Sequence, residues 1–195
     1  MTKTPQALII GDSISMGYTP HAATAVGDMP VLVRHEGNGG DSTNVLSHLD
    51  QWLDKFPHAS LVHVNCGLHD IKRSRPDGSY QVPLEKYREN LSSIADMLKS
   101  AGRNILWATT TPVMDEKHAG RGTDFDRYER DVVAYNEAAT DLMSDAGATI
   151  NDLHAVVLSE GVENCVGPDG VHMTDSGYRL LGRAVADACR RAVGL

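Results

Sequence analysis

Three residues at widely separated places in the sequence could together form an activated serine nucleophile. Ser13 follows Gly11 and Asp12 directly after the first apolar run, whereas Asp169 and His172 precede the last helical segment. A serine hydroxyl becomes nucleophilic when a base takes its proton, and an imidazole held by a carboxylate is such a base. The Asp-x-x-His spacing lets Asp169 hold Nδ1 of His172 within one turn and leaves Nε2 free to face Ser13. Singly, each residue could be an ordinary cap or turn residue, but the set predicts the site of a hydrolase.

Two glycine-containing segments could supply hydrogen-bond donors to an oxyanion. The segment 38–41 (Asn-Gly-Gly-Asp) ends the second apolar run and precedes a predicted helix start near Ser42, so the backbone N–H of Gly40 could point into a cleft. A developing oxyanion needs such a donor, although a flexible turn is the alternative interpretation. The segment 67–70 (Gly-Leu-His-Asp) follows the third run, and its His69 could donate a side-chain N–H.

The elements that must position these residues follow from the periodicity of apolar residues. Short apolar runs, at 7–10, 31–33, 61–66, 105–108 and 149–150, alternate with helix-period segments at 84–101, 125–146 and 178–192, the last with Thr174 as its predicted N-cap. Strands that alternate with helices favour a parallel sheet covered on both faces. The ligand site of such a sheet gathers at the carboxyl ends of its strands, which is where the polar segments fall.

Composition favours a single globular domain and argues against a protein that binds nucleic acid or a membrane. The 195 residues are 41% hydrophobic and 23% charged, which predicts a single domain over 1–195 with a full core. A net charge of -8 argues against nucleic acid or an anionic membrane as partner. No run approaches the roughly 18 apolar residues of a membrane helix, and no signal-peptide core is visible, so a cytoplasmic protein is expected. The three cysteines fit neither a disulfide framework nor a zinc site and are predicted to be reduced and buried.

Four ordered segments carry a resemblance to a known family. Gly11-Asp12-Ser13, Gly40, the Gly67-x-x-Asp70 segment and the Asp169-x-x-His172 segment occur in the order seen in SGNH or GDSL-type hydrolases. The segments 109–112 and 151–153 also resemble that family. The resemblance implies a flavodoxin-like three-layer α/β/α sandwich with a five-stranded parallel sheet.

The resemblance also implies a mechanism. Ser13 would attack an ester carbonyl, His172 would act as the base, and Asp169 would orient the imidazole. The backbone N–H groups of Ser13 and Gly40 would be oxyanion donors. The family has asparagine as the third donor where this chain has His69, so the chain resembles a variant branch with Gly-Leu-His-Asp. His69 either replaces that donor, or only packs against the strand end, or marks a weakened enzyme.

Other interpretations of the same residues remain. Asp12 and Asp70 are predicted to have structural roles, since acyl transfer by serine needs only one carboxylate. A metal site formed by Asp12, His69, Asp70 and His172 lacks a strong ligand spacing. Neither a metal nor a cofactor is therefore expected. Two loops and the following helix start are basic, at Lys72, Arg73, Arg75, Lys117, His118, Arg121, Arg127 and Arg130. They could attract an acidic substrate, but the pattern favours solvated surface charge.

The expected substrate is a small-molecule or carbohydrate ester with a short acyl group, with O-acetyl esters of carbohydrates first. The loops carry few long aliphatic side chains, whereas a long-chain lipase would need a broad apolar patch. Two alternatives are a weakly active or non-catalytic carbohydrate-binding relative, and a lysophospholipase or thioesterase-type acyl hydrolase.

Overall fold

A five-stranded parallel sheet forms the centre of the molecule. The computed structural model describes residues 4–195. Its strands are β1 (Gln6–Ile10), β2 (Val31–Arg34), β3 (Ala59–Val64), β4 (Arg73–Ser74), β5 (Asn104–Ala108), β6 (Phe125–Asp126) and β7 (Thr149–Asn151). The main sheet has the order β2-β1-β3-β5-β7, with every neighbouring pair parallel. The predicted α/β fold with five parallel strands is confirmed.

Helices cover both faces of this sheet. They are α1 (Ser13–Val26), α2 (Ser42–Lys55), α3 (Leu84–Ser100), α4 (Asp115–Ala119), α5 (Glu129–Asp145), α6 (Leu153–Glu160), α7 (Val162–Cys165) and α8 (Asp175–Ala192). One layer is built from α1, α6, α7 and α8, and the other from α2, α3 and α5, as their mutual contacts show. Because both faces are covered, the inner strands are mostly apolar, and residues 7–10 of β1 are fully buried.

Two glycines allow α1 and α8 to pack unusually close together. A Cβ at Gly17 would lie 2.1 Å from the ring of Tyr178, and a Cβ at Gly182 would lie 2.5 Å from Cβ of His21. Neither contact leaves room for a side chain. The helix that begins at Ser13 is therefore locked against the helix that follows His172.

The start of the fifth helix differs from the sequence prediction. The apolar period begins at Phe125, but α5 begins at Glu129, after Tyr128 as its N-cap. Phe125 and Asp126 instead pair antiparallel with Arg73 and Ser74 as the ribbon of β4 and β6. Periodicity cannot separate these cases, because Phe125 is placed by strand pairing with a loop far away in sequence.

Other local predictions agree with the structure. Oγ1 of Thr174 accepts a hydrogen bond from the N–H of Gly177 and so caps α8. The cysteines Cys66, Cys165 and Cys189 are buried and free. Within residues 4–195, none of the helices combines the length and apolarity that crossing a bilayer requires.

Candidate active site

Ser13, His172 and Asp169 lie in one hydrogen-bonded line. Oγ of Ser13 is 2.9 Å from Nε2 of His172, and Nδ1 of the same ring is 2.6 Å from Oδ2 of Asp169. A carboxylate oxygen at that distance keeps the proton on Nδ1, which leaves the lone pair of Nε2 directed at the serine. The serine and histidine are 159 residues apart in sequence. The parallel sheet brings them together because β1 and the segment before α8 meet at the same edge.

The turn between β1 and α1 fixes the direction of the Ser13 side chain. Asp12 is the N-cap of α1, and its Oδ1 accepts a hydrogen bond of 2.9 Å from the N–H of Ile14. Ser13 is thus the first helical residue, with its backbone N–H free of the intrahelical pattern and available to a ligand. Burial raises the pKa of the Asp12 carboxyl, while hydrogen bonding and the charge of Arg127 oppose that shift. Asp12 therefore stabilises the turn as the N-cap of α1, which is the structural role predicted for it.

A compact turn holds Asp169 under the imidazole. Although partial burial alone would raise it, the pKa of Asp169 is lowered to about 2 by hydrogen bonds from the His172 side chain and from two backbone N–H groups. Those backbone donors are Val171, at 3.0 Å, and His172, at 2.9 Å, both to Oδ1. A guanidinium nitrogen of Arg121 also lies 3.7 Å from Oδ2. The carboxylate is therefore charged throughout the neutral range and fully engaged.

The loop that follows β2 is attached to the serine turn through the carbonyl of Gly11. That oxygen accepts hydrogen bonds of 3.0 Å from the N–H of Gly39 and 3.0 Å from Nη2 of Arg34. A Cβ at Gly39 would lie 2.8 Å from the same oxygen, so only glycine permits the approach. Arg34 also binds the carbonyl of Gly37 at 2.8 Å. The clamp by Arg34 was not predicted, since an arginine at a strand end gives no signal of which backbone it will bind.

Gly40 lies in this loop with its N–H turned toward a neighbouring side chain. Its φ is +66°, and its N–H donates a 2.9 Å hydrogen bond to Oδ1 of the exposed Asn38. The amide predicted to serve an oxyanion is thus already bound in the free protein. Asn38 can rotate out toward solvent, which would release the amide to a ligand.

Asp70 and His69 occupy different environments although they are adjacent. Asp70 is buried and accepts hydrogen bonds from the N–H and hydroxyl of Ser42, which ties the loop after β3 to the start of α2. Burial raises the pKa of Asp70 to about 7, against these hydrogen bonds. This is the predicted bracing role. Among residues 4–195, by contrast, no partner bonds the imidazole of half-buried His69, whose pKa is lowered to about 4 by burial and by the charges of Lys72 and Arg127.

The basic residues near the site do not form a uniform solvated rim. Arg73 pairs with Asp131 at 2.9 Å, and Arg75 pairs with Asp126 at 2.8 Å. Arg127 is only 5% exposed, which the sequence pattern did not predict. His118, fully buried, lies 3.2 Å from a guanidinium nitrogen of Arg127. For these two residues, the interpretation as solvated surface charge is wrong, because both pack against Phe125 of β6 and against each other.

The described residues 4–195 contain no cluster of three or more His, Cys, Asp or Glu side chains placed to hold a metal ion. Asp12 and Asp70 have the structural partners given above, and His172 is engaged with Ser13. The site therefore consists of a serine, an imidazole and a carboxylate in line, with nearby N–H donors. Such an arrangement can transfer an acyl group through the serine oxygen.

Comparisons with known proteins agree with this chemistry. The model of the GDSL-like lipase/acylhydrolase family matches residues 9–180. A human relative, the isoamyl acetate-hydrolyzing esterase 1 homolog, is 23% identical over 91% of this chain and 78% of its own length. The chain therefore belongs to the GDSL-like lipase/acylhydrolase family and is a carboxylic ester hydrolase.

Solved structures share the fold at low identity. The lipase/acylhydrolase from Enterococcus faecalis superposes with a TM-score of 0.77 at 18% identity, covering 94% of both chains. An acetylxylan esterase from Geobacillus stearothermophilus superposes with a TM-score of 0.70 at 16% identity, covering 100% of this chain and 97% of its own. Both have the same arrangement of sheet and helices at this level of similarity.

Proposed function

We propose that this enzyme hydrolyses short-chain esters, first of all O-acetyl esters of carbohydrates, through an acyl-serine intermediate on Ser13. The observation that carries the proposal is the line from Oγ of Ser13 through His172 to Asp169, with separations of 2.9 and 2.6 Å. In the first step Oγ attacks the ester carbonyl while Nε2 of His172 takes the serine proton. The tetrahedral oxyanion collapses, and the imidazolium returns that proton to the leaving alcohol.

The second step releases the acid. Water replaces the alcohol beside His172, loses a proton to Nε2 and attacks the acyl carbonyl. Collapse of this second oxyanion breaks the bond to Oγ, and the imidazolium reprotonates Ser13. Asp169 stays ionised throughout, because the hydrogen bonds that lower its pKa to about 2 favour the carboxylate.

Three N–H groups would stabilise the oxyanions. The backbone N–H of Ser13 lies at the start of α1, and that of Gly40 becomes available when Asn38 gives up its hydrogen bond. The third would be an imidazole N–H of His69. A pKa of about 4 leaves that ring neutral at pH 7, so it offers one donor N–H and one acceptor nitrogen.

A short acyl group fits the surface around the serine. The exposed large apolar side chains of the described residues are scattered over separate elements, and of these Met16 alone lies within one helical turn of Ser13. A long alkyl chain would gain little burial there. The relatives add support by name, since one is called an isoamyl acetate-hydrolyzing esterase homolog and one an acetylxylan esterase.

Four measurements made in parallel test the proposal: hydrolysis of p-nitrophenyl acetate by the wild type and by Ser13→Ala, each with and without a chelator. We expect the wild type to be active and insensitive to chelator, Ser13→Ala to be inactive, and a serine-directed phosphonate to add one covalent adduct at Ser13. Activity that survives Ser13→Ala but disappears with chelator would instead indicate a metal-dependent hydrolase. Glycan binding without turnover would indicate a carbohydrate-binding relative.

A further inference from the structure

Arg127 is a buried cation without a direct ion pair among the described residues, although the charges of Asp12 and Asp169 act on it from a greater distance. It is 5% exposed, and no carboxylate of residues 4–195 lies within the 4.0 Å that defines an ion pair with its guanidinium. Its neighbours are neutral acceptors: Nε donates to the carbonyl of Leu68 at 2.6 Å, and Nη1 lies 3.2 Å from Nε2 of His118. Burying a charge without a counter-ion is costly, so such a group is retained where a ligand can supply the opposite charge.

The remaining guanidinium nitrogen of Arg127 is available to such a ligand. Nη2 has no hydrogen-bond partner among the described residues, and it is not one of the fully sealed polar atoms. The small exposed part of the Arg127 side chain therefore includes Nη2, whose N–H groups have no partner among the described residues. His118 stays a neutral acceptor for Nη1, because burial and the charge of Arg127 lower its pKa to about 4.

Lys72 brings a second cation to the same aromatic ring, that of Phe125. The Nζ of Lys72 lies 5.0 Å from the centroid of the Phe125 ring, and the guanidinium carbon of Arg127 lies 4.9 Å from it. Lys72 is half-buried and likewise forms no ion pair within the described chain. Burial and then the charge of Arg127 lower the pKa of Lys72, as expected for two cations sharing one aromatic wall.

These cations lie beside the catalytic line. Arg127 binds the carbonyl of Leu68, whose peptide group leads directly into His69, and the charges of both cations act on the pKa of His69. Lys72 and Phe125 line a groove of about 310 Å³ that extends to Gln81. Gln81 in turn donates to Asp41, the residue after Gly40. The groove thus begins at Lys72 and Phe125, the ring against which Arg127 packs, and ends at Gln81, which is bonded to the loop of Gly40. Asp124 also lies on its lining and is a negative charge near Lys72.

We propose that Arg127 and Lys72 form a subsite for a carboxylate on the alcohol part of the ester, so that the enzyme prefers acetyl esters of acidic alcohols. The inference rests on the proposed function, which makes the acyl group small and leaves the alcohol part to reach the two cations at the Phe125 ring. A carboxylate there would accept from Nη2 of Arg127 and from Nζ of Lys72. It would supply the directly bonded anion that neither cation has among the described residues.

Matched pairs of esters test the subsite. We would measure kcat/KM for 3- and 4-acetoxybenzoate and for the corresponding acetoxybenzamides, each divided by the hydroxide rate constant of the same ester. That division removes differences in intrinsic reactivity. The wild type is expected to prefer the carboxylate of a pair by roughly tenfold or more, as for a hydrogen bond to a charged group.

Three variants assign the preference to the subsite. Lys72→Met is expected to reduce about tenfold the ratio of kcat/KM for the carboxylate ester to kcat/KM for the amide ester. Arg127→Lys should reduce this ratio as well, since lysine lacks the second N–H edge of arginine. Lys117→Met is the matched control, because Lys117 is an exposed cation on α4 outside the groove; its ratio should equal that of the wild type. An equal loss in Lys117→Met would indicate general attraction by surface charge and would overturn the subsite.

The outcomes separate the two proposals. If both esters are hydrolysed in a reaction that depends on Ser13 but the wild type shows no preference for the carboxylate, the subsite is overturned and the proposed esterase stands. The same holds if the preference survives Lys72→Met. Absence of turnover for every ester overturns both. If Arg127→Lys does not fold, Lys72→Met alone decides, because its side chain is half-buried and carries no hydrogen bond that the fold requires.

Discussion

Replacement of His69 tests the least familiar part of the proposed site. His69→Ala removes one of three proposed oxyanion donors, and a donor of this kind contributes about 10²- to 10³-fold in kcat, or roughly 2.7–4 kcal/mol. The upper part of that range is expected here. In the free protein the N–H of Gly40 is already bound to Asn38 at 2.9 Å, so the oxyanion depends more heavily on its other two donors.

The assay would compare kcat for p-nitrophenyl acetate near pH 7, where His69 is neutral because its pKa is about 4. His69→Asn restores an N–H donor of the type found in the resembling family and should recover at least about a tenth of the wild-type rate. His69→Phe keeps a ring without any donor and should resemble His69→Ala. The control is His48→Ala, an exposed histidine on α2 whose loss should leave kcat unchanged.

A merely structural role for His69 predicts a different pattern. If the ring only packed, His69→Phe would be the mildest variant, and Tm would fall together with activity in His69→Ala. A kcat for His69→Ala within about twofold of the wild type, with Tm unchanged, would refute the donor assignment, since even a weak donor contributes more.

Three further predictions concern neighbouring groups. Asp169→Asn should lower kcat on the order of 10⁴-fold with little change in KM, because an amide facing Nδ1 favours the wrong tautomer of His172; a loss under tenfold in steady-state kinetics would contradict this. Asn38→Ala should raise kcat about two- to tenfold, by ending a hydrogen bond that competes for Gly40; a lower kcat would mean that Asn38 organises the loop. Burial raises the pKa of Asp70 from 3.8 to about 7, so the folded state binds this proton more tightly than the unfolded state does. The free energy of unfolding should therefore decrease as the pH is raised from about 4 to about 7. Asp70→Asn should flatten that slope in urea titrations, and an unchanged slope would contradict the assignment.

The sequence was sufficient for the parts of the fold that depend on local pattern. Each strand of the main sheet lies within about two residues of a predicted apolar run, because buried parallel strands are continuous apolar segments. The N-cap at Thr174 and the helix start at Ser42 also follow from residue type. Ser13 and His172 meet at the predicted edge, because right-handed parallel crossovers bring successive strand ends to one side. Their catalytic roles stay predictions until the variants are assayed.

What the sequence did not predict depends on contacts between distant segments. Phe125 continues a helical period, yet it is held in a ribbon by pairing with the loop after β3. In the sequence Arg127 is one more charge in a basic stretch, and its burial depends on contacts with Phe125 of the ribbon and His118 of α4. Arg34 reaches Gly11 across the sheet edge through backbone carbonyls, which carry no residue-specific signal.

The close packing of α1 against α8 also links the proposed site to the order in which the chain is synthesised. The helix after the serine and the helix after the histidine pack closely at Gly17 and Gly182, so the two members of the proposed catalytic pair are positioned together. A chain still being synthesised already has its serine, but it has no base until the last helix docks. The proposed site is therefore assembled only once the last helix has packed onto the first.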